Sequence, residues 1–324
     1  MRYPPFVLGL YLILLVAGAG ACDKREAASG GQSAGVLNLT IIAESQDDAT
    51  WGLWQRVARE AEQKDPKLKI RLVAPQTPSP RDQQELIQAC QGGQVDVVCV
   101  APTDPTALRG AIADLARTGV RVVTIGRDVA DSDRSVYCGP DETEIGRAAA
   151  EACARAMEGD PAKTAMVLYA GEDDPIYGPR YRGFTKAMLR YPDLTLLRKV
   201  NCAQNRTEAV NLVRLESRKY PRTGCWVFLE DWPLRAASLD DQLVPKDCRV
   251  VLCNESPRYF ALLRDGRISA LIGFDYAKAA IEAIGASVQL GRHEAPAISR
   301  FRTMDVETVT ADNLPEIERR WPAG

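Results

Sequence analysis

The chain has 324 residues, 46% hydrophobic and 26% charged, a globular composition long enough for two domains of ordinary size. Its formal net charge of −2 gives no general attraction to nucleic acid, and no local basic patch supplies one, so a nucleic-acid partner is not expected. The single histidine, His293, argues against catalytic triads and histidine-rich metal sites; just after a predicted helix end it reads as a solvated cation.

The N-terminus is an address. Arg2 precedes an uncharged apolar run, Phe6 to Val16, then small residues and Cys22. That layout is a secretion signal over residues 1–21, with an apolar run short for a membrane span. Ala19-Gly20-Ala21 before Cys22 resembles the lipobox of bacterial lipoproteins, in which the cysteine carries a lipid, although Ala19 stands where a leucine is usual. An ordinary signal or an uncleaved anchor helix is the alternative. Asp23 resembles the enteric signal for retention on the inner membrane, and residues 22–36, small and Gly/Ser-rich, suit a flexible tether.

Strands and helices then alternate. "LNLTIIAES" is a strand, and the next helix places Leu53, Trp54, Val57, Ala58 and Ala61 at helical spacing. "LKIRLVAP" is followed by a helix with Ser79 as cap and Pro80 in its first turn. "VDVVCVAP" is followed by a helix capped by Asp104, with Pro105 behind it, and "VRVVTIG" is the fourth strand. The rhythm resumes after residue 160. Strands "KTAMVLYAG", "LTLLRKV", "CWVFLE", "CRVVLCN" and "ISALIGF" each precede a helical segment, the third of these being "PLRAASLDDQL" over 233–243. Two β/α series predict two doubly wound lobes of parallel sheet with helices on both faces. Ligands of such sheets bind beyond the carboxyl ends of the strands, which is where the charged end of "VVTIGRD" places Arg127.

Besides Cys22 there are eight cysteines. Cys90 and Cys99 read as buried thiols, whereas Cys225 and Cys248 each open a predicted strand and would come within disulfide reach if those strands are neighbours.

Residues 95–128, "VDVVCVAPTDPTALRGAIADLARTGVRVVTIGRD", are similar to the periplasmic sugar-binding proteins of the ribose-binding type, whose fold is shared by the ligand-binding cores of the lactose-repressor class. "GPRYRGFTKAML", "WVFLEDWPLRAASL", "RVVLCNES" and "DGRISALIGFDYAKAAIEA" follow in the family's order, and the resemblance spans roughly 37–320. It implies two lobes joined by three crossovers, closing on a ligand by hinge motion. The crossovers would fall near 138–141, 274–276 and 302–306. The N-terminal lobe would then be 37–138 with 276–303, and the C-terminal lobe 139–275 with 304–320.

The resemblance also assigns a site. Asp48 falls where the family's first strand ends, and Trp51 beside it is either a sugar-stacking ring or a core residue. Arg127 and Arg180 match the family's cleft arginines, with surface ion pairing as the alternative. Glu230 and Asp231 stand for its Asn-Asp, Asn254 for an aspartate, and Phe274 for a glutamine. Guanidinium forks and carboxylates suit the hydroxyls of a neutral polar ligand, and Trp232 and Phe274 would add apolar faces. Two arginines would also suit a carboxylate or phosphate, against which Glu230 argues. Gly126 departs from the pattern, since pentose and hexose binders carry an aspartate there. Gly126→Asp is expected to alter ligand preference rather than stability.

The function implied is a lipid-anchored solute-binding protein in the periplasm or cell envelope. It would be a monomer without cofactor or metal, delivering a sugar-like ligand to an ATP-binding-cassette permease. The alternative is a sensor presenting its closed form to a membrane receptor. A transcription regulator would need a DNA-binding head where the signal and tether stand. No enzymatic motif occurs, and adjacent Glu230 and Asp231 are poorly disposed to act as a hydrolase pair.

Overall fold

The computed structural model describes residues 35–161, 163–239, 243–294 and 299–322. The signal, Cys22, Asp23 and most of the tether lie outside the described residues. Within them, no helix is long and apolar enough to cross a membrane.

Two six-stranded sheets have matching topologies. The first is ordered β2(Leu68–Val73)-β1(Leu37–Ile42)-β3(Val97–Val100)-β4(Arg121–Ile125)-β5(Val136–Pro140)-β11(Phe301–Met304), all parallel. The second is β7(Thr195–Asn201)-β6(Thr164–Tyr169)-β8(Cys225–Phe228)-β9(Arg249–Leu252)-β10(Ala270–Phe274)-β12(Val306–Val309), with β12 antiparallel at its edge. The expected pair of doubly wound lobes is what the chain forms.

Side chains alternate across each strand, so both faces of each sheet can be buried. In the first sheet, Leu39, Ile41, Val97 and Cys99 pack with α1(Thr50–Lys64) and α8(Tyr276–Gly291). Ile42, Val98, Val100 and Val122 face the other way, onto α2(Pro80–Gln88) and α3(Pro105–Arg117). In the second sheet, Met166, Leu168, Trp226 and Phe228 face α6(Arg206–Lys219), α7(Phe260–Arg264) and α9(Leu314–Glu318). Ala165, Val167, Cys225 and Val227 face α4(Glu142–Ala156) and α5(Tyr177–Met188). Burying each large apolar side chain contributes roughly 1.5–3 kcal/mol. The helix starts follow the capping chemistry: Ser79 accepts from the Asp82 N–H and Asp104 from the Ala107 N–H, each with proline in the first turn.

The chain changes sheets three times, each time at an aspartate. Asp141 separates β5 from α4, Asp275 separates β10 from α8, and Asp305 separates β11 from β12. Asp141 and Asp275 also cap the helices they precede, accepting from the N–H of Thr143 and Lys278.

Two expectations are corrected. Cys225 and Cys248 are free thiols although β8 and β9 are parallel neighbours. Cys225 pairs in register with Arg249, which turns Cys248 to the opposite face; the two thiols belong to clusters on different sides of the sheet. The expected helix from Pro233 does not begin there: residues 231–237 form hydrogen-bonded turns, and residues 240–242 of that segment lie outside the described residues. Asp231 and Arg235 pair there, drawing the segment toward the cleft.

Candidate functional site

A cavity of ≈ 130 Å³ lies where the carboxyl ends of strands from both sheets converge. It is assembled from Glu44 after β1, Gly126 and Arg127 after β4, Glu142 opening α4, Glu230 after β8, Asn254 after β9 and Phe274 ending β10. A second pocket of ≈ 160 Å³, lined in part by Tyr177, Asp231 and Trp232, lies across a partition that both pockets share: Glu44, Arg127, Glu230 and Arg235.

β4 delivers Arg127 through a glycine. Gly126 has φ +77°, in the left-handed region, and its N–H donates to the Cys138 carbonyl at 2.9 Å. That kink splits the two charges behind it. Arg127 Nη1 donates to Glu44 Oε1 and to the Pro102 carbonyl, both at 3.2 Å, and Nη2 lies 3.9 Å from Glu230 Oε2 in the other lobe. Asp128 turns away to bind the buried Arg134, which also donates to the Arg300 carbonyl.

The second lobe holds a denser network. Gly146 and Gly183 let α4 and α5 meet backbone to backbone; a Cβ on Gly146 would lie 1.8 Å from the Arg180 carbonyl oxygen, and one on Gly183 2.1 Å from that of Thr143. This approach sets Arg180 on Glu142, with Nη2 and Nε at 2.6 and 2.7 Å from Oε2. Arg180 Nη1 also donates to the Leu229 carbonyl at 2.6 Å and to Glu230 Oε2 at 3.4 Å. Glu230 Oε1 accepts from Asn254 at 2.9 Å and from the Asp231 N–H at 3.0 Å. Asp231 Oδ2 accepts from Arg235 and from the Tyr259 hydroxyl, both at 2.6 Å.

Burial opposes charge here, and arginines counter it unevenly. Burial would raise Glu230, but Arg180, Arg127 and the Asn254 hydrogen bond outweigh it and hold the carboxyl below its usual range. Burial lifts Glu44 to about 7, with Asp48 and Glu230 adding to the effect and Arg127 and Arg235 opposing it. Burial also raises Glu142 despite Arg180, and raises Asp231 with help from Glu230. Glu255 is pushed up to about 10 by burial and by Glu307 beside it.

Of the residues expected at the site, Asp48, Arg127, Arg180, Glu230, Asn254 and Phe274 line the cavity. Asp48 Oδ1 also accepts from the Thr50 N–H and hydroxyl at 2.9 and 2.8 Å, fixing the entry to α1. Asp231 lines the second pocket instead. Trp51 is not among the lining residues and packs against the first-lobe core. Trp232 is buried in the second-lobe core, edge-on to Tyr177 at 4.8 Å.

Sequence reasoning passed over several lining residues. The strand-end rule that selects Arg127 also selects Glu44. Glu142 follows the first crossover, and Tyr276 stands two residues beyond Phe274. Trp321 comes from the C-terminal segment, where it packs against the cores of both lobes. Its neighbour Arg320 binds Glu307 at 2.7 Å, while the Arg320 carbonyl accepts from Arg56 of α1 at 2.7 Å. Among the described residues no three His, Cys, Asp or Glu side chains are grouped so as to hold a metal ion.

Residues 39–294 match the periplasmic binding protein domain, and the chain belongs to that family, whose members bind solutes rather than transform them. No curated protein matches it in sequence. Among solved structures it resembles a solute-binding protein of an ABC transporter from Burkholderia graminis in complex with D-arabinose. The two are 17% identical, with a TM-score of 0.71 over 87% of this chain and 98% of that one. A solute-binding protein from Agrobacterium vitis bound with α-D-tagatopyranose is 17% identical, with a TM-score of 0.73 over 89% and 100%. The periplasmic ribose ABC transporter protein from Conexibacter woesei is 16% identical, with a TM-score of 0.72 over 90% and 97%.

Proposed function

We propose that this protein is a lipid-anchored solute-binding protein that captures a small sugar or sugar-like molecule between its lobes and delivers it to an ATP-binding-cassette permease. The observation that carries the reading is the cavity at the strand ends, where Arg127 of one lobe faces Glu142, Arg180 and Glu230 of the other. A ligand contacting both lobes stabilises their closed arrangement, and the three crossovers at Asp141, Asp275 and Asp305 act as the hinge. Within the site, Asp48, Arg127, Arg180, Glu230, Asn254 and Phe274 meet the ligand, and Asp231 holds Arg235 and Tyr259 in place. The solved structures of this fold with D-arabinose and α-D-tagatopyranose support the ligand class. Cys22 is the lipid attachment site, Asp23 favours the inner membrane, and the protein works as a monomer. A thermal-shift screen of sugars, polyols and nucleosides tests the reading, because a true ligand stabilises by mass action. At least one sugar or polyol is expected to raise the unfolding temperature; no shift at millimolar concentration would contradict the proposal.

A further inference from the structure

Trp51 and Trp232, the tryptophans beside the expected site residues in sequence, both pack into the lobe cores. The tryptophan on the cavity wall is Trp321. It is half-buried: it packs against the core clusters of both lobes and still lines the cavity, as does Phe274. Arg127, Arg180, Glu230 and Asn254 line the same cavity. An apolar ring among guanidinium, amide and carboxylate groups matches the mixed surface of a sugar, whose C–H faces are apolar and whose edges carry hydroxyls.

The segment that carries Trp321 is fastened to both lobes. On the second-lobe side, Leu314 and Ile317 of α9 are buried in the core, and Arg320 Nη1 binds both carboxylate oxygens of Glu307 on β12, at 2.7 and 2.9 Å. The same nitrogen lies 3.5 Å from Asp275, at the second crossover. On the first-lobe side, the Arg320 carbonyl accepts from Arg56 Nη2 of α1 at 2.7 Å, and a Cβ on Gly52 of α1 would lie 3.5 Å from Pro322 Cγ. Asp48 and Thr50, at the entry to α1, line the cavity together with Trp321.

We propose that Trp321 is the residue on which the ligand ring packs, and that residues 320–322 form a clasp that holds it there. This rests on the reading of the cleft as a sugar-type site and assigns the stacking ring of that site to a segment beyond the third crossover. Because the clasp is tied to α1 as well as to β12, the indole meets the rest of the cavity only while the lobes are together. A ligand packed on Trp321 therefore favours closure, and the clasp in turn favours binding. Arg56 is not among the lining residues, so loosening the clasp at Arg56 acts on affinity without removing a ligand contact.

The test is isothermal titration of the purified protein with the sugars and polyols of the thermal-shift screen, D-arabinose, D-ribose, D-allose, D-tagatose and myo-inositol among them. The tightest binder is then titrated into three variants. In Trp321→Ala affinity should fall by about ten-fold or more, whereas Trp321→Phe, which keeps an aromatic face, should stay within about three-fold of the wild type. Arg56→Met keeps the alkyl stem and removes the donor to the Arg320 carbonyl, and should weaken binding by about three-fold or more. Fluorescence reads the contact itself: the ligand-induced change in tryptophan emission should be present in the wild type and lost in Trp321→Phe. Affinity of Trp321→Ala within about two-fold of the wild type, an emission change that persists in Trp321→Phe, or unchanged affinity in Arg56→Met would each overturn the inference and leave the sugar-binding reading standing. No binding by any member of the panel would overturn both.

Discussion

The two lobes share one topology but furnish their strand ends differently. The first contributes Arg127 on a glycine kink, with Glu44 and Asp48 beside it, and Arg127 keeps about a quarter of its side chain exposed. The second contributes Glu142, Arg180, Glu230, Asp231, Arg235, Asn254 and Tyr259, tied by hydrogen bonds and ion pairs before any ligand arrives. Arg180 and Glu230 are both more than nine-tenths buried. In the proposed function, similar folds divide the labour: the second lobe serves as a pre-organised seat, and the first closes on it with few groups. Pre-organisation of this kind lowers the cost of ordering on binding.

The strongest way to break that contrast is Arg180→Ala. It strands Glu142 and Glu230 in the second lobe and should cost about 3–5 kcal/mol, the range for removing one partner of a buried ion pair, read from denaturant unfolding. Arg127→Ala removes the corresponding group of the first lobe. Because Arg127 is less buried, about 1–2 kcal/mol of stability should be lost, while ligand affinity falls much further. Equal losses for the two variants would erase the distinction. Gly146→Ala acts on the seat through the backbone alone. Forcing α4 from α5 should cost about 3 kcal/mol and separate Glu142 from Arg180, visible as a lower unfolding temperature together with weaker binding.

The pH profile sharpens the comparison further. Glu44 and Glu255 bind protons in the folded protein at pH values where they are ionised in the unfolded chain, so the folded state holds more protons. Stability from these groups is full below the ordinary carboxylate range, about 4.5, and is lost as pH rises through about 7 for Glu44 and toward about 10 for Glu255. Glu230, held low, acts in the opposite sense, losing its contribution on acidification. The unfolding temperature should thus decline from pH 5 to pH 9, and Glu255→Gln should flatten the upper part of that decline. The smallest effect expected is in Gly126→Asp. A Cβ there meets only the Tyr276 ring at 3.6 Å, so space is not the obstacle. The left-handed φ of +77° is, and it should cost about 1 kcal/mol as well as altering ligand preference. The expectation of unchanged stability fails on a backbone angle that composition does not display.

The fold was legible because its core strands are short, apolar and punctuated by capped helices. Ser79-Pro80 and Asp104-Pro105 mark helix starts in sequence as clearly as in space. What stayed hidden has a physical cause in each case. The buried side chains of α4 are mostly small, Ala148, Ala149, Ala150 and Ala152 among them, with Ile145 as its one large aliphatic, and Glu142 at its start went unread. The same helix depends on Gly146 and Gly183, whose role is a contact between distant segments. Trp321 enters the cavity from the far end of the chain, and nothing local to it signals the approach. The Cys225–Cys248 pairing failed on register, because strand adjacency does not say which face each thiol takes. Trp51, adjacent to an expected site, went to the core.

The central claim is that one ligand is held between an arginine of the first lobe and the carboxylate seat of the second. A crystal structure with the tightest-binding member of the sugar, polyol and nucleoside panel tests it directly. The account predicts ligand density in the cavity, touching Arg127 on one side and Glu142 on the other. Ligand bound outside the cavity, or touching one lobe only, would contradict it.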